Sequence, residues 1–162
     1  MANTSLGTPY VTSSDYVTNY PTTSLALANA IDTLPRGLVA NPQTFSATNA
    51  GTTQVTLATI TFTIVSGRRY RFGWLCDMAN TAASAQGGAL AVYDGASLIK
   101  TVVFAGIPAG YNHNGNGQLV VTGLSAGSHT FYLKGSAGAS NYISFGTATV
   151  GGQFWLEDVG AY

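Results

Sequence analysis

The chain of 162 residues carries six Lys/Arg and six Asp/Glu, a charged fraction of 7 % against roughly 25 % for a soluble domain, and no net charge. Cys76 is its only cysteine, which excludes an intrachain disulfide scaffold, and no apolar run approaches the ~20 residues that span a bilayer. A surface of Thr, Ala, Gly, Ser and Asn lacks the self-repulsion that keeps monomers apart, so the composition points to an assembly component covered by copies of itself or by a partner.

The first residues, Met1-Ala-Asn-Thr-Ser5, offer neither a basic region nor an apolar stretch, so no signal peptide is expected and the chain reads as made in a cytoplasm. From Thr8 to Tyr20 the sequence is polar and punctuated by Tyr10, Tyr16 and Tyr20. Ser24–Thr33 is the one convincing helix: Thr22, Thr23 or Ser24 can cap it, Ala and Leu favour it, and Leu27, Ala28 and Ile31 share a face. Pro35 and Gly37 end it. A lone helix of this length is marginal in water, so it must pack on its own β domain or on another chain. Residues 1–40 therefore read as an N-terminal docking segment.

From Thr44 the pattern is strand. Thr53–Val65 places Ile60, Phe62 and Ile64 on one face while Val55 and Leu57 fall on the other parity, which predicts a bulge near Ala58–Thr59. A turn at Ser66-Gly67 leads into Arg69–Met78, with Tyr70, Phe72, Trp74 and Cys76 on one side. Ala89–Tyr93, a turn at Asp94-Gly95, and Ser97–Phe104 follow. Beyond the Gly/Asn-rich loop 106–117 come Gln118–Thr122, Ser128–Gly135, Asn141–Phe145 and Gln153–Val159. Eight strands with regular turn signals predict an all-β domain over residues 44–162, an eight-stranded jelly-roll-like β-sandwich with an N-terminal extended segment and one short helix.

Groups for catalysis are scarce. Two histidines, His113 and His129, and the six carboxylates form no HxH, HExxH, CxxC or EF-hand spacing, and no GxSxG, GxGxxG or P-loop occurs. Glu157 and Asp158 are adjacent on a strand and diverge to opposite faces. No enzyme activity, cofactor or metal is expected. Arg68, Arg69 and Arg71 are the only basic cluster; Arg69 and Arg71 share a face and suit an ion pair or a subunit boundary, and three cations make too small a footprint for nucleic acid. No membrane partner is expected either. Tyr10, Tyr16, Tyr20, Tyr111, Trp155 and Tyr162 exceed what a core can hold. Tyr10, Tyr16, Tyr20, Leu27, Ile31, Arg69 and Arg71 are candidate docking residues. Tyr111, Asn112, His113 and Trp155 are candidates for stacking on and hydrogen-bonding to a glycan.

Two stretches carry a resemblance. Gly7-Thr-Pro-Tyr-Val-Thr-Ser-Ser-Asp-Tyr-Val-Thr-Asn-Tyr-Pro21, continuing through Ser24-Leu-Ala-Leu-Ala28 to Leu34-Pro-Arg-Gly-Leu-Val-Ala40, and the ending Phe154-Trp-Leu-Glu-Asp-Val-Gly160 resemble segments of virion proteins of tailed phages of actinobacteria. The phrase Gly123-Leu-Ser-Ala-Gly-Ser-His-Thr-Phe131 is similar to ones found in the same sandwiches. The resemblance implies a minor tail, fibre or capsid-surface component, a docking region before a β-sandwich, a virion location and a homotrimer that also contacts other virion proteins. It implies no catalytic residue. A module binding a host-surface carbohydrate is the alternative.

Overall fold

The computed structural model describes residues 2–3, 9–10, 20–32, 34–138, 143–146 and 151–162. Two short strands, β1 (Ala2–Asn3) and β2 (Pro9–Tyr10), pair with each other. Helix α1 spans Tyr20–Asp32, starting earlier than expected. Pro21 suits a first turn, where its missing N–H costs nothing, and Pro35 lies just beyond the last turn.

The remainder is strand: β3 (Gly37–Phe45), β4 (Thr48–Ala50), β5 (Val55–Ile64), β6 (Arg68–Leu75), β7 (Asp77–Asn80), β8 (Gln86–Asp94), β9 (Ser97–Ile107), β10 (Asn112–Asn114), β11 (Gly117–Val121), β12 (Gly127–Ala137), β13 (Ile143–Phe145) and β14 (Gly152–Ala161). They form three antiparallel four-stranded sheets, ordered β5-β12-β8-β9, β11-β6-β14-β3 and β10-β7-β13-β4. The all-β expectation holds. In place of eight uninterrupted strands there are these shorter segments, because the chain breaks its ladders at local kinks. One kink is at Cys76, whose N–H donates to Asn116 Oδ1 (2.8 Å) and whose carbonyl accepts from the Gly115 N–H (2.7 Å), so the backbone stays paired through it.

The core lies between β5-β12-β8-β9 and β11-β6-β14-β3. Tyr70, Phe72, Trp74 and Cys76 all face inward, as their alternation predicts. Phe72 meets Phe131 of the opposite sheet edge-on at 4.8 Å and stacks on Phe154 of its own sheet at 6.0 Å. The Trp74 indole N–H donates to the Gly115 carbonyl (2.7 Å), so its one polar atom is satisfied while buried.

The bulge in β5 falls at Leu57, one residue before the expected place: Leu133 faces Ala58 and Lys134 faces Thr56. The extra residue lets Leu57 and Ala58 both reach the core. Asp94 and Ser97 close the β8–β9 hairpin, where Gly95 takes φ +56°, a region costly for any side chain.

Besides the N-terminal β1–β2 pair, three strands lie where none of the eight is expected: β3, β4 and β10. β3 occupies residues assigned partly to the docking segment, and it contains Pro42, which argues against a strand. It is tolerated because β3 is a sheet edge and the ladder skips past Pro42: Gln43 faces Phe154 and Ala40 faces Leu156. β10 lies inside the Gly/Asn-rich loop, paired with β7 through His113 and Met78.

Candidate functional site

The feature that joins the helix to the sheets is a buried ion pair. Arg68 opens β6 on the same parity as Tyr70 and Phe72, and Asp158 lies on the parity of Phe154 and Leu156; both therefore face inward, 4 % and 2 % exposed. Arg68 Nε donates to Asp158 Oδ2. Its Nη1 donates to the carbonyl of Asp32, the last residue of α1, and its Nη2 to the carbonyl of Leu34 (2.6 Å). Every nitrogen of the fork is thus used, one of them on a carbonyl that the helix end leaves open and one on a carbonyl just beyond it. A cation at that end also opposes the partial negative charge of the helix C-terminus. The hydrogen bond to Asp158 raises the Arg68 pKa above its ordinary value, outweighing desolvation.

The second oxygen of Asp158 accepts from the Gly160 N–H (2.9 Å). Arg36 adds its backbone N–H to the Asp158 carbonyl (3.2 Å), its guanidinium lies 4.0 Å from the Asp158 carboxylate, and its Nη2 donates to Asp32 Oδ1 (2.5 Å). Beside this joint is a hollow of about 210 Å³, lined by residues including Asn29, Asp32, Val65, Gly67 and Arg68. The arrangement ties the helix end to the sheets, while apolar side chains on the helix and just past it stay uncovered. Leu25 is 61 % exposed, Ile31 55 % and Leu34 47 %.

Of the expected docking residues, Tyr10 lies in β2, Tyr20 begins α1, and Tyr16 lies outside the described residues. Leu27 is half-buried and Ile31 exposed. Arg69 is exposed, and Arg71 pairs with Glu157 through Nε (2.7 Å) and Nη2, both on the outer side of their sheet. The carboxylates Glu157 and Asp158 do diverge, outward and inward.

The glycan candidates occupy two places. Tyr111, Asn112 and His113 are exposed on and before β10, and the His113 ring turns edge-on to Phe104 at 5.5 Å. Trp155 stands on β14 opposite Gly73, whereas His113 stands opposite Met78, roughly 16 Å further along the β6–β7 track. The four do not form one site.

His129 is half-buried near the start of β12. Its Nδ1 meets Asp94 Oδ2 (2.6 Å), its Nε2 meets the Ser125 carbonyl (3.0 Å) and hydroxyl (3.3 Å), and its ring stacks on Phe131. The order Ser, His, Asp suggests a relay, yet the carbonyl is nearer to Nε2 than the hydroxyl is. The trio ties the 123–127 turn to the β8–β9 turn. Burial pushes the Cys76 thiol up to about 11, which suits a packing residue and not a nucleophile. Among the described residues no three His, Cys, Asp or Glu side chains gather to hold a metal ion, and no helix is long and apolar enough to cross a membrane.

No family model matches the chain, and comparison with curated proteins gives no match. Similarity is found among solved structures. A chain in the structure of infectious bursal disease virus strain Gx aligns with a TM-score of 0.50 at 11 % identity, covering 79 % of this chain and 32 % of its own. The insecticidal delta-endotoxin Cry8Ea1 of Bacillus thuringiensis gives a TM-score of 0.38 at 12 % identity over 75 % of this chain and 20 % of its own. A chain of the bursal disease virus strain Gt gives 0.35 at 11 % identity over 75 % and 42 %. This chain thus spans about a third of the Gx virus protein that it matches. At such identities the likeness is one of fold: an all-β domain of a kind that occurs in a virus structure.

Proposed function

We propose that this protein is a non-enzymatic structural component of a virion, a tail, fibre or capsid-surface protein of a tailed actinobacterial phage. It docks through residues 1–40 and presents a trimeric β-sandwich. The observation that carries this reading is α1: a helix with no charged residue before Asp32, tied to the sheets at its C-terminal end by Arg68, with Leu25 and Ile31, and Leu34 just beyond it, left exposed. Such a helix is stable only if something covers it. Few charges elsewhere leave little repulsion between copies, and closed symmetry would limit their growth. The fold likeness to a protein in a virus structure supports the same reading.

The sheets support a jelly-roll. The β10–β7 and β11–β6 pairings keep one register across Cys76, so β10 with β11, and β6 with β7, read as single strands. β13 lies between β7 and β4 as β14 lies between β6 and β3, so counting β13 with β14 and β3 with β4, across a change of register, gives eight strands in two four-stranded layers. Light scattering of the full chain tests the trimer, and antibody labelling of purified virions in the electron microscope tests the location. A monomer at micromolar concentration with no label on particles overturns the reading.

A further inference from the structure

We propose that Trp155 is a stacking platform for a neutral polysaccharide on the outer face of the β11-β6-β14-β3 sheet. The residue beneath the indole is Gly73, in the middle of a strand paired on both sides. A Cβ there would lie 2.2 Å from Trp155 Cε2 and Cζ2, so only glycine lets the indole lie across the sheet. Glycine in a strand interior is unfavourable and marks a place where something approaches the backbone closely. Here the cost is borne to seat a half-buried aromatic on a solvent-facing surface instead of in the core.

The seat is fixed. The indole N–H donates to Glu157 Oε1 (3.1 Å), and Arg71 holds Glu157 through its other oxygen. Those two charges satisfy each other, so neither is left beside the indole to recruit a sialylated or phosphorylated glycan; exposed Arg69 lies four residues from Gly73 along β6, roughly 13 Å away. Exposed Gln118 faces Gly73 from β11, about two strand spacings or roughly 10 Å from Trp155. Exposed Gln153 lies two residues before Trp155 on the same side. A flat apolar ring face flanked by amides is the chemistry that recognises a sugar ring, stacking on its C–H face and bonding its hydroxyls. The site lies on an open sheet face, which suits a chain lying across strands.

This inference is independent of docking through α1; the platform can fail while the assembly holds. The test is affinity electrophoresis of the full chain in gels containing a soluble β-glucan, a mannan or a galactan. Retardation is expected in at least one gel, weakened tenfold or more by Trp155→Ala and partly kept by Trp155→Phe. If Trp155→Ala misfolds, the Gln118→Ala/Gln153→Ala variant, with the indole in place, should weaken binding at least threefold. No retardation in any gel, or binding unchanged in well-folded variants, overturns the proposal. So does light scattering in which Trp155→Ala turns an oligomer into monomers, since a second copy would then cover the indole.

Discussion

Arg68 and Asp158 are diagonal neighbours, not direct ones: Arg68 stands opposite Ala161 and Asp158 opposite Tyr70, with a register shift between Asp158 and Gly160. The shift turns the end of β14 so that the carboxylate meets the guanidinium beneath the helix end. Two buried charges then depend on each other, and α1 depends on both.

Replacing Arg68 by Met leaves Asp158 uncompensated and should cost about 3–5 kcal/mol, whereas Arg68→Met/Asp158→Leu should recover much of the loss. Urea unfolding of the two variants checks this. A double variant as unstable as the single one would mean that the carbonyl bonds to α1 matter more than the pair.

Trp74→Ala should cost about 3–5 kcal/mol, because it empties a buried site and orphans the Gly115 carbonyl. A midpoint shift equivalent to less than about 1 kcal/mol would contradict its position.

Cys76 predicts a pH dependence. Burial raises its folded pKa to about 11 from an ordinary 9.0. Its contribution is fully present below pH 9 and is lost as the pH rises toward 11, because the unfolded chain sheds the proton first. Relative to Cys76→Ala, the protein should lose on the order of 2–3 kcal/mol across that window. Comparing the two by denaturation at pH 8 and 11 isolates the thiol from other groups that titrate there. A thiol reagent at pH 8 should also leave the folded protein unlabelled.

Deleting residues 1–40 should leave a soluble β domain with a cooperative melt but abolish incorporation into particles. Deleting only 1–36 should melt higher, since it keeps all of β3, whose Leu38 and Ala40 face Glu157 and Leu156. Equal melts would show that the start of β3 adds nothing; incorporation of either into particles would place docking on the sandwich.

Much of the architecture was legible because side-chain alternation is a local property. Tyr70, Phe72, Trp74 and Cys76 declare a buried face by spacing alone, and Glu157 and Asp158 must diverge wherever they lie on a strand. The same parity places Arg68 with Tyr70 and Asp158 with Leu156, although an arginine in a basic cluster reads first as a surface cation. β3 crosses the boundary drawn between the docking segment and the strands, and it contains Pro42, which an edge position with a skipped pairing tolerates.

Composition and alternation thus decided that the chain is charge-poor and mostly strand, with a short helix ahead of the sheets, since composition needs no pairing and alternation depends only on residues within a few positions of each other. Which strands neighbour one another, that Gly73 lies under Trp155, and that Arg68 caps a helix while meeting a carboxylate 90 positions away were decided by the tertiary fold. Cross-strand register joins distant segments, and no local pattern encodes the partner.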